Sequence, residues 1–205
     1  MKLYGFPPSP NTRKVQAVAA HLGTPLEFEF VDLTKGMSRT PGFLAINPGG
    51  RTPVLVDGDF KLWESNAIMQ YLASKQATSL WPDDGGIRAD ISRWQYWQTA
   101  HWNEGCAGFL WENLVKGALG MGETDDAALK KAETAFHRDA AVLDAHLGKQ
   151  QYLVNGALTL ADFSIASYLH YAVAARLPWE PYKNIQSWYL RIEALPAWQQ
   201  TKPQM

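Results

Sequence analysis

The stretch from Arg51 to Ser65, Arg-Thr-Pro-Val-Leu-Val-Asp-Gly-Asp-Phe-Lys-Leu-Trp-Glu-Ser, brings together residues that suit the capture of a small charged molecule. Ser65 stands just before Ala67-Ile68-Met69-Gln70-Tyr71-Leu72, where Ile68, Tyr71 and Leu72 share one helical face, so it lies near a helix N-terminus. The unpaired N–H groups of such a terminus attract a carboxylate. Glu64 precedes Ser65 as an acidic neighbour. Near the N-terminus, Ser9 and Asn11 flank Pro10 ahead of a second helical pattern, and both residue types are favoured caps. Other reactive groups are sparse. The single cysteine, Cys106, allows neither an internal disulfide nor a Cys-x-x-Cys pair and reads as a small buried apolar residue. The histidines lack metal-ligand spacing, so no metal is expected.

The elements that position these groups follow from the pattern around them. Pro53 has no N–H for a sheet and fits a strand's first position, and Val54-Leu55-Val56, Asp57-Gly58 and Phe60-Lys61-Leu62 form a hairpin signature. Upstream, Lys2 to Gly5 reads as a strand, Val15, Val18, Ala19 and Leu22 as one face of a helix ending before Gly23, and Leu26 to Val31 as a second strand. A short helix within 34–46 precedes the Asn47-Pro48-Gly49-Gly50 turn. The order β-α-β-α-β-β-α predicts a mixed four-stranded sheet with helices on its faces.

Beyond this the period changes. Residues 1–75 form one expected domain, 76–86 a breaker-rich linker, and 87–205 an all-helical domain. In the helical part Ile91, Trp94, Trp97 and His101 follow one stripe, and Leu129, Phe136 and Leu143 another, in a helix ending near Gly148. Thr159 and Asp162 form a capping box, with Leu158 and Phe163 spaced as a hydrophobic staple. A last helix carries Ile185, Trp188, Tyr189 and Ile192.

With 46% hydrophobic residues, nine Trp and a net charge of −1, the 205-residue chain can bury two cores. The balanced charge gives no basic face for nucleic acid. No segment is long and apolar enough for a membrane span, and Pro7, Pro8 and Pro10 interrupt any leader-like start. A cytoplasmic home fits this cysteine usage.

Four segments in order make the chain resemble a soluble glutathione transferase over essentially its whole length. They are Ser9-Pro10-Asn11-Thr12-Arg13-Lys14-Val15, Asn47 to Pro53, Leu62-Trp63-Glu64-Ser65-Asn66-Ala67-Ile68, and Leu158 to Ile165. The loop at Ser9 is similar to the serine-type loop of the phi- and theta-like classes, of bacterial kind and with some nu-like character. The resemblance implies a thioredoxin-like α/β N-terminal domain, βαβαββα, followed by an all-α domain that contributes the electrophile pocket. It also implies a homodimer, glutathione as cosubstrate with no tightly bound cofactor, and conjugation to apolar electrophiles. A glutathione-dependent disulfide or peroxide reductase and a non-catalytic carrier of apolar ligands are the alternatives.

Roles follow from the same resemblance. The thiol of glutathione titrates at roughly 8.5 when free, and the thiolate is the nucleophile. Ser9 would donate to the sulfur, with Asn11 as the rival. A cis Thr52-Pro53 bond would present the Thr52 backbone to the tripeptide, Glu64 would meet its γ-glutamyl amine and Ser65 the adjoining carboxylate. The glycyl carboxylate needs a cation: Arg39, Arg51 and Lys35 compete, since the His-Lys pair of plant-like members is Ser38-Arg39 here. Phe6, Trp102, Asn103 and Trp111 would line the electrophile pocket, with Cys106 and Phe109 on the same helix.

Overall fold

In the computed structural model, which describes residues 1–203, the chain divides into two compact units. The first contains Met1–Trp81 and the described residues from Leu195 on; the second is Pro82–Ala194.

The first unit is built on strands β1 (Lys2–Gly5), β2 (Glu27–Phe30), β3 (Val54–Asp57) and β4 (Phe60–Trp63). They pair in the order β2-β1-β3-β4, with β1 and β2 parallel and the other pairs antiparallel. Leu3 faces Leu55 across the centre, and both are fully buried. The hairpin turn falls on Gly58 and Asp59, one residue beyond the expected Asp57-Gly58, because Asp57 still pairs with Phe60; Gly58 supplies the positive φ, 61°. Helices α1 (Pro10–His21) and α3 (Ser65–Ser74) pack on each other, and Val15 and Val18 on the first and Ile68, Met69 and Leu72 on the second are fully buried. The short α2 (Pro41–Leu44) follows a 3₁₀ turn at Met37–Arg39. At the sheet edge, β2 leaves Phe28 and Phe30 exposed.

The second unit opens with α4 (Gly85–Trp97), two residues earlier than its apolar stripe, because the Asp84 carboxylate caps the Ile87 N–H at 2.8 Å. Two π segments, Gln98–Trp102 and Trp111–Val115, flank α5 (Asn103–Leu110), and α6 (Lys116–Ala118) ends the run. The first π segment changes the stripe. Its wider i→i+5 turn rotates the helix face, so Trp102 is buried where His101 was expected and His101 faces solvent. Helix α7 (Asp126–Leu147) packs closely on α5: a Cβ at Gly105 would lie 2.7 Å from the Phe136 backbone, so only glycine fits. Helices α8 (Leu160–Ala166) and α9 (Lys183–Glu193) complete this unit, and α10 (Pro196–Gln199) belongs to the first.

That last assignment departs from the single helical domain expected over 87–205. Its physical basis is Arg13 on α1, which is buried, stacks its guanidinium 4.3 Å from the Trp198 ring centroid and donates to the Trp198 carbonyl at 3.0 Å. No helix among the described residues is long and apolar enough to cross a membrane.

Candidate active site

Ser9 is the N-cap of α1, with extended backbone (φ −71°, ψ 126°) and Pro10 in the first helical position, where its missing N–H costs nothing. The Ser9 carbonyl starts the helix by accepting from the Arg13 N–H, and its own N–H donates to Phe6. The hydroxyl makes no capping bond. Ser9 lines a cavity of about 380 Å³ whose wall also includes Arg39, Gly50, Arg51 and Thr52. Four of the expected site residues, distant in sequence, therefore meet at one hollow.

The opposite wall of this cavity is set by a turn. Asn47, buried, donates from its side-chain amide to the Arg51 carbonyl at 2.7 Å and accepts from the Gly49 N–H at 2.9 Å. At Gly50, φ is 59° and a Cβ would sit 2.6 Å from Arg39 Nη1 and 3.0 Å from the Ser38 carbonyl oxygen. Glycine thus lets the Arg39 guanidinium lie across the turn. The turn delivers a cis Thr52-Pro53 bond, and the backbone of Thr52 takes no backbone partner among the described residues. Lys35 does not line the cavity and instead lies 3.6 Å from Asp32.

Glu64 and Ser65 stand at the head of α3. Glu64, not Ser65, is the N-cap, and Ser65 is the first helical residue. The Glu64 backbone has φ 72° and ψ 109°, a region that costs a non-glycine residue roughly 1–3 kcal/mol, while its side chain is exposed. Ser65 is nearly buried and donates from its hydroxyl to Asn11 Oδ1 at 3.3 Å, which ties the first turn of α1 to the first turn of α3. Asn11 therefore faces the helix end.

One turn further along α1, Lys14 is buried and donates to Asn66 Oδ1 at 2.8 Å. Burial pulls its pKa down to about 7, against the smaller upward pull of Glu64. Lys14 and Asn47 lie within the motif segments of the sequence, but neither has a role assigned there. The spacing of Asn11, Lys14 and Val18 on one helical face was the available signal for the lysine.

The residues expected to line an electrophile pocket divide. Phe6 stacks against Phe30 with ring centroids 6.1 Å apart and, with Pro7, Pro8 and residues 200–203, lines an open cavity of about 520 Å³. Trp102 corrects the expectation: it is fully buried, donates to the Ile165 carbonyl at 3.1 Å and packs on Trp97 and Phe136, and so belongs to the core of the helical unit. Asn103 is half-buried and accepts from Gln98, whereas Trp111 is 40% exposed. Cys106 is buried and desolvation pushes its thiol well up, which removes it as a nucleophile. Among the described residues no cluster could hold a metal ion.

Comparison with known proteins bears on both units. Residues 1–74 match the family described as glutathione S-transferase, N-terminal domain, and residues 126–191 match glutathione S-transferase, C-terminal domain. The chain is 36% identical to glutathione S-transferase 3 of Zea mays, over 98% of this chain and 92% of that one. It is 32% identical to glutathione S-transferase GstB of Escherichia coli K12, over 95% and 94%. Among solved structures, it resembles the theta class glutathione S-transferase of Xanthomonas axonopodis pv. citri with glutathione bound, with a TM-score of 0.89 and 31% identity over 100% and 97% of the two chains.

Proposed function

The chain belongs to the glutathione S-transferase family, and we propose that its first unit holds glutathione extended between Arg39 and Glu64, with the thiol at Ser9. The protein is an enzyme that conjugates glutathione to electrophiles. The observation that carries the assignment of residues is the single cavity walled by Ser9, Arg39, Arg51 and Thr52.

In this reading the Arg39 guanidinium, with Arg51 beside it, meets the glycyl carboxylate, and the Thr52 backbone pairs with the cysteinyl amide groups as an added strand would. Ser65 and the free N–H groups of α3 take the γ-glutamyl carboxylate, and Glu64 takes the amine. The Ser9 hydroxyl donates to the sulfur and the N-terminus of α1 adds its partial positive charge. Each unit by which these lower the thiol pKa corresponds to about 1.4 kcal/mol of preference for the anion. The thiolate then attacks the electrophilic carbon, and in a substitution the leaving group departs with its bonding electrons. The apolar surface of Phe6, Phe30, Pro7 and Pro8 suits a flat apolar electrophile.

Asn11 already accepts from Ser65, which favours Ser9 for the sulfur and gives Asn11 a binding role. Kinetics with a chlorinated nitrobenzene separate the two. Ser9→Ala should lower kcat/KM about 10- to 100-fold and move its pH midpoint upward, the loss expected for one hydrogen bond to a charged sulfur. Asn11→Ala should chiefly raise KM for glutathione. Unchanged conjugation in Ser9→Ala would overturn the assignment. The same proposal places the chain among the serine-type, phi- and theta-like members, in the cytoplasm and as a homodimer, which sedimentation would read as twice the chain mass.

A further inference from the structure

We propose that Lys14 is a positioning residue for glutathione, one that sets a proton-dependent positive charge behind the end of α3, so that arrival of the γ-glutamyl carboxylate draws a proton onto its amine. The proposal rests on the reading that Glu64 and Ser65 hold the γ-glutamyl end.

The geometry is a pair of bonds between two helices. On α1, Asn11 and Lys14 lie on one face, and on α3 they meet consecutive residues: the Ser65 hydroxyl reaches Asn11 Oδ1 at 3.3 Å and the Lys14 ammonium reaches Asn66 Oδ1 at 2.8 Å. Lys14 is 1% exposed, so its charge is held by these surroundings and not by water. Lys14 thus bonds the side chain of the second residue of α3, at a helix end whose own partial positive charge opposes an ammonium. A carboxylate in front of the same terminus reverses that field.

The charged groups around Lys14 are few. Glu64, the N-cap of α3, favours the ammonium. The titratable side chain within α3 is Tyr71, which donates to Asp57 at 2.8 Å, and Asp57 is paired with Lys75. Helix α10, which also packs on α1, contains only Pro, Ala, Trp and Gln, and on β1, whose Gly5 abuts Thr12 of α1, the titratable residues are Tyr4 and Lys2, the latter paired with Glu27 at 2.7 Å. On α1 itself, Arg13 is directed to Trp198 and His21 lies at the far end. With the amine at about 7, ligand-free protein near neutrality is divided between the two protonation states. An anion at α3 shifts this balance toward the ammonium, and one proton moves from solvent to Nζ with no other bond changed.

S-methylglutathione tests this, because it has no thiol to ionise and so releases no proton from sulfur. Its binding is followed calorimetrically in two buffers of different ionisation enthalpy, which gives the number of protons taken up. Wild type should take up about half a proton at pH 7 and almost none at pH 5.5, where Lys14 is already charged. Lys14→Met should lose that uptake and bind about fivefold or more weakly. Subtracting the Lys14→Met count removes any contribution from the ligand's own amine. Lys14→Arg, charged at every pH, should restore affinity without the uptake. Equal proton counts in wild type and Lys14→Met would overturn the role of Lys14 alone. A wild-type count of zero throughout pH 5.5–7 would do the same without any variant. Absence of binding by wild type would refute the glutathione site, and this inference with it.

Discussion

Glu64 shows how a single residue can be held against its own preference. At φ 72° and ψ 109° its backbone occupies a region suited to glycine, yet the chain places a charged side chain there, exposed at the head of α3. The proposed contact with the γ-glutamyl amine gives that arrangement a purpose, and it predicts opposite effects on stability and binding. Glu64→Gly should relieve the backbone and stabilise the ligand-free protein by about 1 kcal/mol, or a few degrees in the thermal midpoint. The same substitution should raise KM for glutathione roughly tenfold, since it removes a charged partner. A thermal melt and a glutathione titration on one preparation check both, and a fall in the midpoint would contradict the strain argument. Glu64 was legible in sequence as an acidic residue before a helix, but its dihedral was not. Propensity and spacing describe where helices start, whereas a left-handed φ at a non-glycine residue is imposed by the surrounding fold. Lys14 was hidden for a related reason. A lysine on a helix normally reads as solvated, and only the packing of α3 on α1 buries it.

At the scale of elements, local chemistry was the most readable. The hairpin, the start of α3 and the capping box at Thr159 all depend on residues within a few positions of each other, and each forms close to where the sequence places it. The capping box also reaches beyond its helix. Asp162 accepts from the Thr159 N–H at 2.9 Å and from the Leu153 N–H at 3.0 Å, and the Trp188 indole on α9 donates to it at 3.0 Å. It thus joins the loop before α8, the start of α8 and the face of α9 at one fully buried carboxylate. Asp162→Ala should therefore cost more than the ~1 kcal/mol of an ordinary cap, about 2–4 kcal/mol, because several buried donors lose their acceptor at once. Denaturant unfolding followed by tryptophan fluorescence would read the loss, and a value near 1 kcal/mol would reduce Asp162 to a local cap. The tryptophan stripe was the element that misled. Ile91 and Trp94 are buried as their spacing demands, but the π segment at Gln98–Trp102 carries the stripe from Trp97 to Trp102. Nothing in a 3.6-residue period announces that extra residue.

For the whole chain, the decisive feature is that the first unit is discontinuous. The sequence passes through 82–194 and returns at Leu195, and α10 packs on α1. A change of hydrophobic period marks where one kind of structure gives way to another, but it carries no sign that the last residues rejoin the first, because that pairing spans |i−j| of 185 between Arg13 and Trp198. The consequence is energetic. Trp198 is fully buried and covers the guanidinium of Arg13, itself 2% exposed. Trp198→Ala would remove the largest side chain of α10 and leave a buried cation without its aromatic face, so about 3–5 kcal/mol should be lost. The loss should be local to the first unit. Hydrogen exchange should show amides of α1 and α3 losing protection, whereas those of α7 and α9 keep theirs. Because α1 begins at Ser9 and carries Asn11 and Lys14, conjugation activity should fall together with that protection, although Trp198 is far in sequence from every residue assigned to the chemistry. Equal loss of protection across both units would instead mean that they unfold as one cooperative body, and that Trp198 supports the entire molecule.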